Sequence, residues 1–243
     1  MDTNDITVLY EDNDILAVNK PAGIIVHSDG RTKEKTVVDW VIAHYPEIKG
    51  VGEHSLETED APIDRSGIVH RIDRETSGVL LIAKNNEAYE FLKDKFKNRE
   101  ISKVYRAFVV GVPRDPRGII DREIKRSKTD FRKWTSFKGR GVSREATTQY
   151  RVIGSGNGIG YLELRPKTGR THQIRVHLSS IGHPILCDTL YGARGVHNMG
   201  FDRVALHAYS VSFVGVDGKE IEVIAPFPDD FKHAEKELES FAK

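Results

Sequence analysis

Short runs of apolar residues separated by polar turns predict β-strands along much of the chain. Two such runs, at 6–10 and 15–19, flank the polar tetrapeptide 11–14, and this pattern predicts a β-hairpin. The run from Val79 to Ala83 is apolar throughout and has the length of a strand. Uninterrupted apolar runs of this length are typical of buried strands, so we expect residues 79–83 in the core.

Helical periodicity alternates with these strands. Thr36 and Asp39 have the spacing of a capping box, which predicts a helix from Thr36 to Tyr45. A second helix is predicted from Asn85 to about Arg99, a short one after Thr168, and an amphipathic one from Asp229.

Further strands are predicted at 103–111, 145–153, 161–165, 203–214 and 219–225. The last two are joined by Asp217-Gly218, a dipeptide that strongly favours a tight hairpin turn. Because strands and helices intermix and most neighbouring strands form hairpins, we predict an α+β fold with a largely antiparallel sheet.

Composition agrees with a folded cytoplasmic protein. The chain has 243 residues, 38% of them hydrophobic and 30% charged, and no apolar run is long enough to cross a bilayer. The polar N-terminal residues do not resemble a signal peptide. The single cysteine, Cys187, excludes an internal disulfide and fits a reducing compartment.

Positive charge is concentrated although the net charge is only +1. Residues 122–144 contain nine cations and two anions, and residues 165–177 contain four cations and no anion. Phe131, Trp134 and Phe137 lie among the cations of the first segment. Two interpretations remain open: this segment contacts nucleic acid, or it is a short hairpin whose aromatic side chains pack on the protein.

Asp73 is the first candidate for chemistry. It lies just before the predicted buried strand and is flanked by Arg71 and Arg74. One interpretation is a structural ion pair with either arginine, and the other is a carboxylate kept ionised by these cations so that it reacts with a substrate.

Lys20, at the end of a predicted strand, is interpreted either as a phosphate contact or as a solvated side chain.

Other chemistries have weaker support. The spacings of His172, His177, His183 and Cys187 do not match a known zinc site, so we predict no metal. Asp73 and Glu75 are too close in sequence to support the paired carboxylates of a glycosidase.

The stretch from His70 to Gly78, His-Arg-Ile-Asp-Arg-Glu-Thr-Ser-Gly, resembles the aspartate motif of RluA-type pseudouridine synthases. Other signatures of this family follow in the family order, from about Val8 to Pro226. They are Val18-Asn19-Lys20-Pro21-Ala22-Gly23, Lys103-Val104-Tyr105-Arg106-Ala107, the stretch from Thr168 to His177, His183-Pro184-Ile185 and Asp188-Thr189-Leu190-Tyr191-Gly192.

This resemblance implies a pseudouridine synthase fold with a mixed, mainly antiparallel central sheet flanked by helices and loops. It implies one catalytic domain over 1–243, with a basic insertion at 113–144 and without the N-terminal S4-type domain that many relatives carry. The implied activity isomerises uridine in RNA to pseudouridine without metal or organic cofactor. The expected partner is RNA, either 23S ribosomal RNA or transfer RNA, and the protein is expected to be monomeric.

The resemblance also implies residue roles. Asp73 corresponds to the catalytic carboxylate, Tyr105 to a tyrosine that stacks on the target base, and Arg175 to the basic residue that pairs with the aspartate. Arg71 corresponds to an arginine that enters the space left by the everted nucleotide. The remaining expected substrate-binding residues are His70, Thr76, Lys103, Arg170, Thr171, His172 and Ile174. A non-catalytic RNA-binding or ribosome assembly factor with the same fold is the main alternative, and a hydrolase is a third reading.

Overall fold

The structure of the chain, a computed structural model, describes residues 3–28, 34–52, 65–136, 143–192 and 196–241. The chain forms two compact units. Unit one comprises Met1–Ile101 and Ser210–Pro226, and unit two comprises Ser102–Tyr209 and Phe227–Lys243. Most of the segment 50–67, whose Gly, Glu, Asp and Ser residues predict a surface loop, lies outside the described residues.

Helices and strands alternate as the sequence predicts. In chain order the elements of the described residues are β1 (Thr7–Glu11), β2 (Ile15–Lys20), α1 (Val37–His44), β3 (Ser77–Ala83), α2 (Asn86–Lys97), β4 (Ser102–Val110), β5 (Arg117–Asp121), β6 (Ile124–Arg126), β7 (Trp134–Ser136), β8 (Thr147–Gly156), β9 (Ile159–Pro166), α3 (Gln173–Ser180), β10 (Leu206–Val214), β11 (Glu220–Ile224) and α4 (Asp229–Ser240).

Unit one is built on three antiparallel strands in the order β1-β2-β3. Every residue of β3 is buried, which confirms the predicted buried strand, although β3 begins two residues earlier, at Ser77. The hairpin predicted at Asp217-Gly218 is also present, with β10 and β11 paired antiparallel. Thr36 caps α1 through the predicted capping box with Asp39.

Unit two contains four antiparallel strands in the order β4-β9-β8-β5, and a separate hairpin of β6 and β7. Gly111 and Ile159 form a parallel bridge. The core of unit two is rich in aromatic rings. Phe108 stacks on Tyr161 at 4.3 Å between ring centres and also contacts Phe201. The predicted α+β class, with a mixed and mainly antiparallel sheet, is confirmed.

Helix α3 begins later than the sequence pattern suggests. His172 has a φ of 55°, in the left-handed region, and the helix therefore starts only at Gln173. Thr171 lies before the helix and is exposed, whereas Arg175 is buried within it. The helix predicted after Thr168 therefore does not include Thr171, and Thr171 and Arg175 do not share a helix face. No helix in the described part of the chain has the length and apolar character needed to span a membrane.

Lys20 is completely buried, so both interpretations of it as a phosphate contact and as a solvated side chain are wrong. Its ammonium group donates hydrogen bonds to the carbonyl oxygens of Pro21, Ile24 and Arg74, at 2.7, 2.9 and 3.0 Å. A buried charge is tolerated only when polar groups surround it, and these carbonyls provide that surrounding. Lys20 therefore ties the end of β2 to the loop that carries Asp73.

Glu163 on β9 is buried among three arginines of unit two. Its carboxylate accepts hydrogen bonds from Arg106, Arg151 and Arg165 at 2.6, 3.0 and 3.1 Å. Burial alone raises the pKa of Glu163, but the hydrogen bonds from the three guanidinium groups outweigh it and lower the pKa to about 2. The carboxylate is thus ionised wherever the protein is folded near neutral pH.

We expect Lys20→Met to lower the free energy of unfolding by roughly 2–4 kcal/mol, because it removes the ammonium donor from the carbonyl oxygens of Pro21, Ile24 and Arg74, of which the Arg74 oxygen keeps only its bond from the Gly23 amide. Urea unfolding monitored by circular dichroism measures the change. Lys97→Met, at an exposed position of α2, is the matched control and is expected to change stability little. Equal unfolding midpoints for Lys20→Met and Lys97→Met would contradict the anchoring role.

The low pKa of Glu163 predicts a pH-dependent contribution to stability. Because the folded-state pKa lies below the ordinary value of 4.5, this contribution is complete above about pH 4.5 and is lost as the pH falls towards 2. Glu163→Gln is therefore expected to be less stable than the parent at pH 7, with the difference shrinking in acid. Urea midpoints across this pH range measure it, with exposed Glu220→Gln as control. A pH-independent difference would show that the carboxylate charge is irrelevant.

Candidate active site

Asp73 is half-buried and lies in a turn of unit one whose backbone is fixed on both sides. The Arg74 carbonyl oxygen accepts hydrogen bonds from Lys20 and from the Gly23 amide, the latter at 2.8 Å. The Thr76 amide donates to the Asp73 carbonyl oxygen at 3.1 Å. The segment from Lys20 to Gly23 thus supports the Asp73 turn, although the two are more than fifty residues apart in sequence.

The side chains next to Asp73 point in different directions. Ile72 and Thr76 are buried, and Arg71 is exposed. The Arg74 guanidinium forms an ion pair with Glu34 and donates from Nε to the Gly23 carbonyl oxygen at 3.0 Å. Glu34 is therefore one partner of the Arg74 guanidinium.

His70 fastens the start of this loop to β3. Its Nε2 atom accepts a hydrogen bond from the Leu81 amide at 2.8 Å, and its ring stacks on Phe96 at 4.6 Å between centres. An accepting Nε2 requires the neutral ring with its proton on Nδ1. His70 thus has a supporting contact within unit one in addition to its predicted place near substrate.

In unit two, Tyr105 and Lys103 lie two residues apart on β4 and share one face of the strand. Tyr105 is half-buried, packs on the core and lies opposite Leu164 of β9. The Lys103 ammonium approaches Gly169, where a Cβ atom would lie 3.9 Å from Nζ. Burial lowers the pKa of Lys103 to about 8, so this amine titrates unusually close to neutral pH.

The Gln173 side chain organises the turn before α3. Its Oε1 accepts hydrogen bonds from the Thr168 hydroxyl at 2.6 Å and from the Arg170 amide at 3.0 Å. Its Nε2 donates to the Thr147 carbonyl oxygen and the Thr148 hydroxyl of β8. Gln173 was not among the predicted site residues, although it lies inside the motif that carries them.

The predicted residues of this turn differ in their surroundings. Arg170 is half-buried and donates from Nε to the Glu145 carbonyl oxygen at 3.2 Å, while Thr171 is exposed. Ile174 belongs to the apolar core of unit two. Arg170 and Thr171 therefore offer polar groups at the start of α3, whereas Ile174 contributes packing.

Arg175 is buried and forms a bidentate ion pair with Asp188, whose side chain is also buried. The Nε and Nη2 atoms of Arg175 lie 2.7 and 2.9 Å from the two carboxylate oxygens. The Tyr191 ring packs beside the guanidinium, with Cζ 5.2 Å from the ring centre. A bidentate pair fixes both the position and the plane of a guanidinium. Asp188 therefore holds the Arg175 guanidinium in a defined position and plane.

Tyr191 joins this ion pair to two other segments. Its hydroxyl oxygen lies 2.9 Å from Nδ1 of His172 and accepts a hydrogen bond from the Trp134 amide at 2.8 Å. Sequence reasoning did not assign roles to Asp188 or Tyr191. The available signal was their presence in one short motif, Asp188 to Gly192, which follows α3.

The structure bears on one of the two interpretations of the basic insertion, the one in which its aromatic side chains pack on the protein. The insertion contains the β6–β7 hairpin, and half-buried Trp134 packs on a small cluster with Ile124 and Val176, which confirms the packing interpretation for Trp134. Phe131, at the turn of the hairpin, is 74% exposed. Phe137, Lys138 and Arg140 lie outside the described residues.

The predicted site residues thus fall into two sets, each held within its own unit. Unit one carries Asp73 with His70, Arg71 and Thr76, and unit two carries Tyr105 and Lys103 together with residues 170–175. Among the described residues, no group of three or more His, Cys, Asp or Glu side chains is arranged to hold a metal ion. The groups present, a carboxylate, a phenol and a fixed guanidinium, are suited to nucleophilic and proton-transfer chemistry.

Comparison with known proteins places this chain in a family. The sequence profile of the RNA pseudouridylate synthases matches residues 14–180. Proteins named ribosomal large subunit pseudouridine synthase D are 36% identical in Zymomonas mobilis, over 93% of this chain and 71% of theirs, and in Vibrio cholerae, over 98% and 72%. An uncharacterised RNA pseudouridine synthase of Synechocystis is 35% identical over 93% of this chain and 67% of its own.

Solved structures agree with these relatives. The human RNA pseudouridylate synthase domain containing 1 protein superposes with a TM-score of 0.74 at 26% identity, over 94% of this chain and 86% of that protein. The human domain containing 4 protein gives the same TM-score at 24% identity, over 96% and 92%, which supports the fold. On this evidence the chain belongs to the RluA-type pseudouridine synthases and is an RNA-modifying isomerase.

Proposed function

We propose that this isomerase converts specific uridines of 23S ribosomal RNA to pseudouridine, with Asp73 as its catalytic carboxylate. The names of the Zymomonas and Vibrio relatives support the choice of large-subunit ribosomal RNA over transfer RNA. The observation that carries the role of Asp73 is its setting: a half-buried carboxylate on a turn that a buried ammonium group and β3 hold in place. A carboxylate with this support is pre-positioned for reaction.

The reaction breaks the bond between C1′ of the ribose and N1 of uracil and forms a bond between C1′ and C5. The base must turn while it is held. At the end C5 loses its proton and N1 takes one up, so the product is an isomer of the substrate. The Asp73 carboxylate acts as a nucleophile or as a stabilising anion during bond cleavage.

We assign supporting roles to two residues of unit two. The Tyr105 ring stacks on the target base and assists removal of the C5 proton, and Arg175 directs its cationic guanidinium to the Asp73 carboxylate. The bidentate contact with Asp188 supports this role of Arg175, because it limits the orientations that the guanidinium can adopt.

The target uridine must leave its base stack to react, which costs a few kcal/mol. Stacking on Tyr105 offsets this by about 1–3 kcal/mol. Arg71 is exposed, and we assign it to the space that the everted nucleotide leaves in the RNA. Arg170, Thr171 and Lys103 provide donors for the flanking phosphates, with Lys103 losing its charge as the pH rises above about 8.

A non-catalytic RNA-binding or ribosome assembly factor is the second candidate. The basic β6–β7 hairpin with exposed Phe131 favours it, because cations and an exposed ring are sufficient for RNA binding without chemistry. The two candidates differ in their dependence on Asp73. A binding factor would keep its biological role when the carboxylate is replaced by an amide.

We expect Asp73→Asn to abolish pseudouridine formation, because the amide has the same shape but neither the charge nor the nucleophilicity of the carboxylate. The assay measures tritium released from C5-labelled uridine in ribosomal RNA, with RNA affinity measured in parallel by filter retention. Glu75→Gln removes a carboxylate from the same loop and is expected to keep at least about a tenth of the activity. Full pseudouridine formation by Asp73→Asn would contradict the catalytic role of this carboxylate, whereas full rescue of a deletion strain by an inactive Asp73→Asn would favour the binding factor.

The target nucleotide follows from a second measurement. Pseudouridine-specific sequencing of ribosomal and transfer RNA from a deletion strain is expected to show one or a few sites lost from 23S RNA and regained with the parent gene. If pseudouridine sites are lost only from transfer RNA, the substrate is transfer RNA and not 23S RNA. If the map of pseudouridine sites is unchanged, the proposed function is wrong.

We expect Asp188→Asn to reduce kcat by roughly tenfold or more with a smaller effect on KM for RNA, because Arg175 loses the anion that orients it. Steady-state kinetics separate the two constants, and thermal unfolding reports the accompanying loss of stability. Asp188→Glu retains the charge and is expected to recover part of kcat. Asp202→Asn, at an exposed position of unit two, is the control. A change in KM alone would show that Asp188 does not position Arg175 for the reaction.

A further inference from the structure

A row of charged side chains crosses one face of the four-stranded sheet of unit two. The strand register places Arg117 opposite Arg151, Arg151 opposite Glu163, and Glu163 opposite Arg106. Residues that lie directly opposite each other in antiparallel strands project to the same face. Four residues from β5, β8, β9 and β4 therefore form one continuous line, and Arg165 occupies the next row on the same face.

Glu163 fixes the arginines without neutralising them. Arg165 reaches this carboxylate through Nε and Arg151 through one Nη atom, and both side chains are 47% exposed. Arg117 is exposed and forms no ion pair within the described residues. Three arginines contact one carboxylate and Arg117 lies opposite Arg151, so these five side chains have a local charge of +3.

An open groove of about 510 Å³ lies along this face. Arg117, Arg151 and Arg165 line it together with Gly118, Ile119, Gln149, Tyr150 and Glu163. Ile119, 64% exposed, and the Tyr150 ring supply its large apolar groups. Three guanidinium groups, two of them held by one carboxylate, make the groove suited to an anionic ligand.

We propose that this groove binds phosphate groups of the RNA backbone at a distance from the nucleotide that is modified. The proposal rests on the proposed function, because RNA is the polyanion that this isomerase must hold. Guanidinium groups match phosphate oxygens in bidentate geometry, and the contact with Glu163 orients two of them before RNA arrives. None of Arg117, Arg151 and Arg165 is used in the chemistry assigned to Asp73, Tyr105 and Arg175.

The test uses the full chain with Asp73→Asn, so that binding is measured without turnover. Arg117→Gln and Arg165→Gln are introduced singly and together, and the probe is deproteinised large-subunit ribosomal RNA cut into labelled fragments. Filter retention over a series of salt concentrations gives Kd and its salt dependence. For the double variant we expect Kd to rise roughly tenfold at low salt and the salt slope to fall by about 1.4–1.8, since each phosphate contact contributes about 0.7–0.9.

Arg99→Gln is the matched control, because Arg99 is an exposed arginine of unit one and loses the same charge. It is expected to leave Kd and salt slope unchanged. Arg117→Gln breaks no ion pair, so its own reduction of the slope, by about 0.7–0.9, tests the proposal even if the double variant unfolds. An unchanged salt slope in Arg117→Gln and in a folded double variant overturns the proposal. A groove that binds a free mononucleotide instead of RNA would give this result.

The result of this binding test does not depend on whether the chain is catalytically active. If the parent chain forms no pseudouridine but the groove variants lose RNA affinity, the proposed function fails and the groove proposal stands. If the parent chain forms pseudouridine and the groove variants bind RNA as the parent does, the groove proposal alone fails.

Discussion

The hydrogen bonds from the buried Lys20 ammonium to three carbonyl oxygens hold together the two segments of unit one that carry family motifs. A charge in the interior requires polar partners, and only the observed path of the Asp73 turn supplies the Arg74 carbonyl oxygen. Movement of this turn would leave the ammonium group partly unsatisfied. The conformation of the Asp73 loop is therefore coupled to the stability of the strand that bears Lys20.

Two cations of unit two, Arg175 and Lys103, differ in their surroundings and therefore in how firmly they keep their charge. Arg175 is buried against a carboxylate, and the bidentate pair fixes the plane of its guanidinium. Lys103, on β4, is half-buried, and desolvation lowers its pKa to about 8. One cation is thus permanently charged and fixed in direction, while the other is poised to lose its proton close to physiological pH.

The distribution of charge over the surface differs from its distribution along the sequence. The segment 165–177 is uniformly basic in sequence, yet Arg165 lines an open groove while Arg175 is buried with Asp188. Conversely, Arg117 and Arg151 stand far apart in sequence but become neighbours through the pairing of β5 and β8. A chain with a net charge of only +1 can therefore present a strongly basic face to RNA.

The sequence alone determined the local elements, because strand alternation, the Thr36–Asp39 capping box and the Asp217-Gly218 turn are short-range effects. It also identified the family, since ordered motifs preserve the chemistry of the site. It did not reveal the burial of Lys20, the pairing of Arg175 with Asp188 or the left-handed His172 that excludes Thr171 from α3. Burial and ion pairing depend on chain segments far apart in sequence, and only the tertiary structure brings these segments together.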